Sequence, residues 1–122
     1  MMKIMIRLAT VEEANLIHKI MLPAFEENRF TDVPSDALNE TVSSIEKSLN
    51  NGSEKDMLYF MDGVPVGSVR FKINNTSLCF FRLSDIPEAR KRGIAKSMIL
   101  WLENYAGEHE ITEIWCRVRS QI

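Results

Sequence analysis

One helix constrains this chain more than any other segment. Between Ile94 and Ala106 the apolar residues fall on two stripes: Ile94, Met98, Trp101 and Tyr105 on one, and Ala95, Ile99, Leu102 and Ala106 on the other. Two stripes require a helix buried over much of its circumference, packed against a layer of other structure. Apolar runs that read as strands flank it, Leu78–Leu83 before and Ile111–Val118 after. A strand, a helix and a strand in that order form a parallel, right-handed unit. The helix opens on Arg90-Lys91-Arg92-Gly93-Ile94-Ala95. Its first N–H groups lack intrahelical acceptors, its dipole adds partial positive charge, and Gly93 lets an anion approach the main chain. With three cationic side chains adjoining, the arrangement reads as a site for a diphosphate-bearing cofactor.

The rest of the chain is built outward from that unit. Ile4–Leu8 is a short first strand, and Thr10-Val11-Glu12-Glu13 has the pattern of a capping box. The helix it starts carries Ala14, Ile17, Met21 and Ala24 on one face, and Pro23 ends it between Pro23 and Phe25. After the loop Phe25–Pro34, a second helix starts at Ser35, with Leu38, Val42, Ile45 and Leu49 as its stripe and Gly52 near its end. Met57–Met61, the Asp62-Gly63 turn and Val64–Ile73 form a hairpin. Asn74-Asn75 then turns the chain into Leu78–Leu83, and Gly107 suits the C-terminal cap of the third helix. The order β-α-α-β-β-β-α-β predicts an α+β, or mixed α/β, fold: one central sheet flanked by helices.

At 122 residues the chain is expected to be a single domain, residues 1–122, with a real core. A net charge of −2 supplies no field for nucleic acid, so the basic run at 90–92 is a local feature. No apolar stretch is long enough to cross a bilayer, and the N-terminus lacks the apolar length of a signal peptide. A cytoplasmic protein without membrane or nucleic-acid partners is expected. Cys79 and Cys116 lack a CxxC partner, and His18 and His109 do not supply metal-ligand spacing. Both cysteines are expected to be buried free thiols, and no metal is expected.

The element order and the segment Arg82-Leu83-Ser84-Asp85-Ile86-Pro87-Glu88-Ala89-Arg90-Lys91-Arg92-Gly93-Ile94-Ala95-Lys96-Ser97-Met98 resemble the GNAT superfamily of acyl-CoA N-acetyltransferases. The opening Ile6-Arg7-Leu8-Ala9-Thr10 and the hairpin Phe60-Met61-Asp62-Gly63-Val64-Pro65-Val66-Gly67 are similar to that family as well. The resemblance implies that Arg90, Lys91, Arg92, Gly93, Ile94, Ala95 and Lys96 hold the pyrophosphate of acetyl-CoA. It implies that the main chain of Leu83, Ser84 and Asp85 pairs with the pantetheine arm and stabilises an oxyanion on the thioester carbonyl. The reaction implied is direct attack of a neutral amine on the thioester in a ternary complex. No metal takes part in it. Acceptor recognition falls on the loop between the first two helices, with Phe25, Glu26 and Phe30 lining it.

Two departures follow from the same comparison. The resemblance implies a glutamate base just before Arg82-Leu83, and Phe81 stands there. Asp85 is the candidate for a substitute base, on one face with Phe81 and Leu83 by strand alternation unless a bulge reverses it; the alternative is an Asp that caps the Pro87 turn. The family also continues past Ile111–Val118 with a helix and further strands, one tyrosine of which supplies the general acid. This chain stops at Ile122. It is then a fragment, or a truncated protein, or one whose sheet a second copy completes, and an open sheet edge favours a homodimer. The competing reading is a non-catalytic acyl-CoA-binding or regulatory module. A mononucleotide-binding domain is disfavoured because neither Gly-x-x-x-x-Gly-Lys nor Gly-x-Gly-x-x-Gly occurs. Fold analogy does not choose between a small-molecule and a protein amine acceptor.

Overall fold

The structure is a computed structural model that describes residues 3–26, 40–86 and 93–116. The elements are β1 (Ile4–Leu8), a turn of 3-10 helix (Val11–Glu13), α1 (Ala14–Glu26), α2 (Val42–Asn50), β2 (Lys55–Met61), β3 (Val64–Asn74), β4 (Ser77–Asp85), α3 (Ile94–Glu108) and β5 (Glu113–Cys116). The five strands form one sheet in the order β1-β2-β3-β4-β5. The first three pairings are antiparallel, and β4 with β5 is parallel. This is the mixed α/β class expected from the sequence, with the crossover through α3 that its two stripes require.

Helices cover both faces of the sheet, so its central strands are buried on both sides. Asp56 to Phe60 is an unbroken buried run rather than an alternating one. Met57, Tyr59, Val69, Phe71, Leu78 and Phe80 pack with Ile94, Met98, Leu102 and Tyr105 of α3. Leu58 and Phe60 pack on the opposite face with Ala14, Ile17, Ile20 and Met21 of α1 and Ile45 of α2. On α3, Trp101 stacks on Tyr105 and Tyr105 on His109, with ring centroids 5.3 and 3.9 Å apart. The edge of Phe71 meets Tyr105 at 5.3 Å. Tyr105 is therefore a packing residue.

Local chemistry explains most element boundaries. Asp62 and Gly63 have φ of 51° and 81°, the two positive values a two-residue primed hairpin turn demands. Thr10 N–H donates to Glu13 Oε1 at 2.9 Å, so the glutamate reaches back as a capping box requires. Arg7 grips the same carboxylate through two hydrogen bonds of 2.7 and 2.6 Å, which holds Glu13 down at about 2.

Three boundaries and the burial of one cysteine differ from the sequence reading. The described helix α2 starts at Val42, capped by Thr41 and Ser44 through reciprocal hydrogen bonds, and not at Ser35; Ser35 and Leu38 lie outside the described residues. Helix α1 passes Pro23 and ends at Glu26, forgoing one hydrogen bond that proline cannot donate. Gly107 lies inside α3, and the left-handed residue beyond the helix is Glu110, with φ of 59°. Ile111 N–H then donates to Ala106 O at 2.9 Å, which closes the helix end. Cys79 is buried as expected, but Cys116 on the edge strand β5 is exposed.

Candidate active site

The last turn of β4 departs from regular pairing. Ser84 pairs with Ser68 and Phe81 with Arg70, so Arg82 and Leu83 together oppose the single residue Val69. This is a β-bulge, and Arg82 adopts it with φ of 54°, the left-handed region. The extra residue reverses the alternation beyond it. Leu78 and Phe80 face α3 before the bulge, and Leu83 faces α3 after it. Asp85 pairs with Gly67, and a carbon β built at Gly67 would meet Ile94 Cγ2 at 3.0 Å. Asp85 therefore keeps the face of Leu83 and loses that of Phe81. Ser84 lies on the opposite face, buried across from Ser68.

The start of α3 lies against β3 just beside this bulged end. Its contact with the sheet is close because Gly67 has no side chain; Met98 Sδ is also only 3.2 Å from that vacant position. Gly93 is the N-cap, with φ of 74°, and it contributes no side-chain cap. The first helical hydrogen bond to its carbonyl comes from Ser97 N–H at 3.0 Å. The N–H groups of Ile94, Ala95 and Lys96 therefore precede any intrahelical acceptor. Among the described residues, nothing lies within 4 Å of a carbon β placed at Gly93. Three such donors at a helix start suit an anion such as a pyrophosphate by charge.

Behind the bulge, on the α1 and α2 face, lies a buried charged network. Ser68 Oγ donates to Asp56 Oδ1 at 2.6 Å, and Arg70 Nε donates to Asp56 Oδ2 at 3.1 Å. Arg70 is 1% exposed, and its two terminal nitrogens donate to the carboxylate oxygens of Glu40 at 2.9 and 3.1 Å. A longer contact of 3.4 Å joins Arg70 to Glu54. Arg82 Nε stands 3.0 Å from Glu40 Oε1 as an ion pair, without the alignment of a hydrogen bond. Burial pushes Asp56 up to about 7, against the pull of Arg70 and Ser68. Burial also acts to lower Arg70, but the hydrogen bond to Glu40 and the nearby Asp56 outweigh it and raise Arg70 above its ordinary value. One cation set among three carboxylates stays charged, and burial makes Asp56 the easiest of the three to protonate.

The model of the acetyltransferase (GNAT) family matches residues 14–121. The chain belongs to that family. No curated protein matches it in sequence. Among solved structures, it is similar to the PaiA N-acetyltransferase of Thermoplasma acidophilum in complex with coenzyme A, at 19% identity and a TM-score of 0.79, covering 98% of this chain and 81% of that one. It is similar to the ribosomal-protein-alanine N-acetyltransferase of Brucella melitensis biovar Abortus 2308, at 18% identity and a TM-score of 0.74, covering 96% and 81%. A third is an aminoglycoside acetyltransferase from an uncultured soil metagenomic sample, in complex with sisomicin, at 10% identity and a TM-score of 0.74, covering 96% and 78%. At these identities the likeness establishes the shared fold.

In this GNAT chain the structure brings together Leu83, Ser84 and Asp85 at the end of β4 with Gly93, Ile94, Ala95 and Lys96 at the start of α3. Arg90, Lys91, Arg92 and Phe30 lie outside the described residues, and Phe25 and Glu26 are the last two residues of α1. Sequence reasoning alone misses Glu40, Asp56, Arg70 and the conformation of Arg82. A lone arginine inside the apolar run Val69-Arg70-Phe71 is the available signal, since a buried strand keeps such a charge only when it is paired.

Proposed function

We propose that this chain is an acetyl-CoA-dependent N-acetyltransferase that passes the acetyl group directly to a primary amine in a ternary complex. The observation that carries this reading is the bulged end of β4 beside the uncapped N-terminus of α3. The three leading N–H groups of α3, with Arg90, Lys91 and Arg92 before them, take the pyrophosphate. The main chain of Leu83, Ser84 and Asp85 aligns the pantetheine arm, and an N–H there stabilises the oxyanion formed when the amine attacks. The amine must lose a proton to become a nucleophile, since an alkylammonium has a pKa near ~10.4 in water. The base role read for Asp85 fits its placement poorly: the bulge turns it toward α3, the cofactor side, and away from the face of Phe81 and Ser84.

The acceptor is a small-molecule or protein amine, in keeping with the sisomicin-bound and ribosomal-protein-alanine neighbours. Phe25, Glu26 and Phe30 are its proposed contacts. The reading treats residues 1–122 as one catalytic domain, in the cytoplasm, where Cys79 and Cys116 stay reduced. No described helix is long and apolar enough to cross a membrane. It includes a homodimer through the sheet edge at β5, where Trp115 is half exposed. A second reading, an acyl-CoA-binding module without turnover, rests on Phe81, buried where the family resemblance implies a glutamate. Acetyl-CoA-dependent release of CoA thiol over a panel of primary amines separates the two. Acceleration by one amine supports the enzyme; tight binding with no acceleration by any amine supports the module.

A further inference from the structure

We propose that Glu40 is a positioning residue, which holds the β4 bulge in its left-handed form by tethering Arg82 to the buried Arg70. The inference rests on the acetyltransferase reading, in which the N–H of Leu83 faces the thioester carbonyl.

Arg82 is an unusual residue for that backbone conformation. A φ of 54° is cheap for glycine and disfavoured for a side chain with a carbon β. Such a conformation persists only when its surroundings over-determine it. The surroundings here form a continuous chain of contacts. Ser68 fixes Asp56 at 2.6 Å, Asp56 fixes Arg70 Nε at 3.1 Å, and Arg70 holds both oxygens of Glu40 at 2.9 and 3.1 Å. Glu40 then meets Arg82 Nε at 3.0 Å. Every link but the last is a hydrogen bond, and the last is an ion pair whose nitrogen is buried. Glu40 itself is anchored just before Thr41, the N-cap of α2. The guanidinium of Arg70 is thus a fixed platform, Glu40 a rigid arm on it, and Arg82 the residue the arm holds.

The consequence is a division of labour within the cofactor site. The pyrophosphate cradle at α3 depends on Gly93 and Gly67, and no side chain of the network belongs to it. Ile86 N–H donates to Val66 O, so the Ser84 N–H two residues earlier faces Ser68 in the β3 ladder, and the Leu83 N–H faces the other edge of β4, open among the described residues. The acyl end depends on where the bulge sends the N–H of Leu83, and that is what Glu40 sets. Loss of the tether lets residue 82 return toward the extended region and re-aims the Leu83 N–H, while the phosphate end is unaffected.

Amide-resolved NMR titration with CoA and with acetyl-CoA tests this without knowledge of the amine. In the parent, both ligands shift the amides of Ile94, Ala95 and Lys96, and acetyl-CoA alone adds a shift at Leu83. In Glu40→Gln the α3 shifts persist and the added β4 shift falls by at least about half. Arg82→Gly, which adopts the left-handed form without a tether, restores it in the Glu40→Gln background. Arg82→Ala does not restore it, and in the parent background Arg82→Ala loses the β4 shift while Arg82→Gly keeps it. An unchanged β4 shift in Glu40→Gln, or equal behaviour of the glycine and alanine variants in either background, overturns the proposal. If Glu40→Gln gives a collapsed spectrum, Glu40→Asp, which keeps the charge but shortens the arm, is read in its place: the added β4 shift falls by about half if the proposal holds, and an unchanged shift overturns it. Failure of either ligand to shift any α3 amide in the parent overturns the acetyltransferase reading itself, which is a distinct result.

Discussion

Gly67→Ala adds one methyl group where the start of α3 rests on β3. The new carbon would stand 3.0 Å from Ile94 Cγ2, 3.2 Å from Met98 Sδ and 3.3 Å from Met98 Cε. Comfortable contact between such atoms begins at about 3.5 Å, so the helix or its side chains must yield by roughly half an ångström. Met98 is flexible, but Ile94 is β-branched and both are fully buried. Overpacking of this kind costs about 1–3 kcal/mol. Lower entropy of the unfolded chain returns about 0.4–1 kcal/mol. The net expectation is a loss of about 1–2 kcal/mol, or several degrees in Tm for a chain of this size. Gly107→Ala is the matched control: a helical glycine with nothing within 4 Å of the added carbon. It should stabilise by about 0.5 kcal/mol. Urea unfolding of the three proteins measures both signs. Acetyl-CoA affinity should drop several-fold in Gly67→Ala and stay at the parent value in Gly107→Ala. A Gly67→Ala protein as stable as the parent, with equal affinity, would refute the argument that this glycine seats the helix.

Three further outcomes follow from the same structure. Asp56 is raised from 3.8 to about 7, so the folded state holds a proton that the unfolded chain releases between those values; stability should fall as pH rises through that window, and urea midpoints for Asp56→Asn should lose that slope. Glu13 is lowered from 4.5 to about 2, so its contribution is present above about 4.5 and is lost as pH falls toward 2; Glu13→Gln should be less stable than the parent by about 1 kcal/mol at most near neutral pH, because Arg7 is 39% exposed, and the two unfolding curves should converge near pH 2. Arg70→Met strands Asp56, Glu40 and Glu54 without their shared cation and should cost about 3–5 kcal/mol at neutral pH, with a smaller loss in acid as the carboxylates protonate; a loss independent of pH would contradict the charge argument.

Much of the fold is legible in the sequence because its signals are local. The double stripe on α3 requires a buried crossover helix, and the Asp62-Gly63 pair requires a hairpin with two positive φ values. The capping box at Thr10 and Glu13 is visible as four consecutive residues. The parts that are not legible are those that tertiary contacts impose. Nothing in the type of Arg82 favours a left-handed backbone, and its ion-pair partner Glu40 lies far away in sequence. Arg70 lies 14 residues from Asp56 and 30 from Glu40, so no periodicity links them. Strand alternation places Asp85 with Phe81 because it counts residues, and one inserted residue at the bulge breaks the count. Gly107 looks like a helix terminator, but the end of α3 is set by the hydrogen bond from Ile111 to Ala106.

The most direct measurement is calorimetric titration of acetyl-CoA into the parent chain and into Gly93→Glu. The substitution puts bulk and negative charge at the N-cap, next to the N–H groups of Ile94, Ala95 and Lys96. The account expects the parent to bind and a folded Gly93→Glu to lose binding. A parent that does not bind, or a variant that binds equally well, would contradict the assignment of this helix start as the cofactor site.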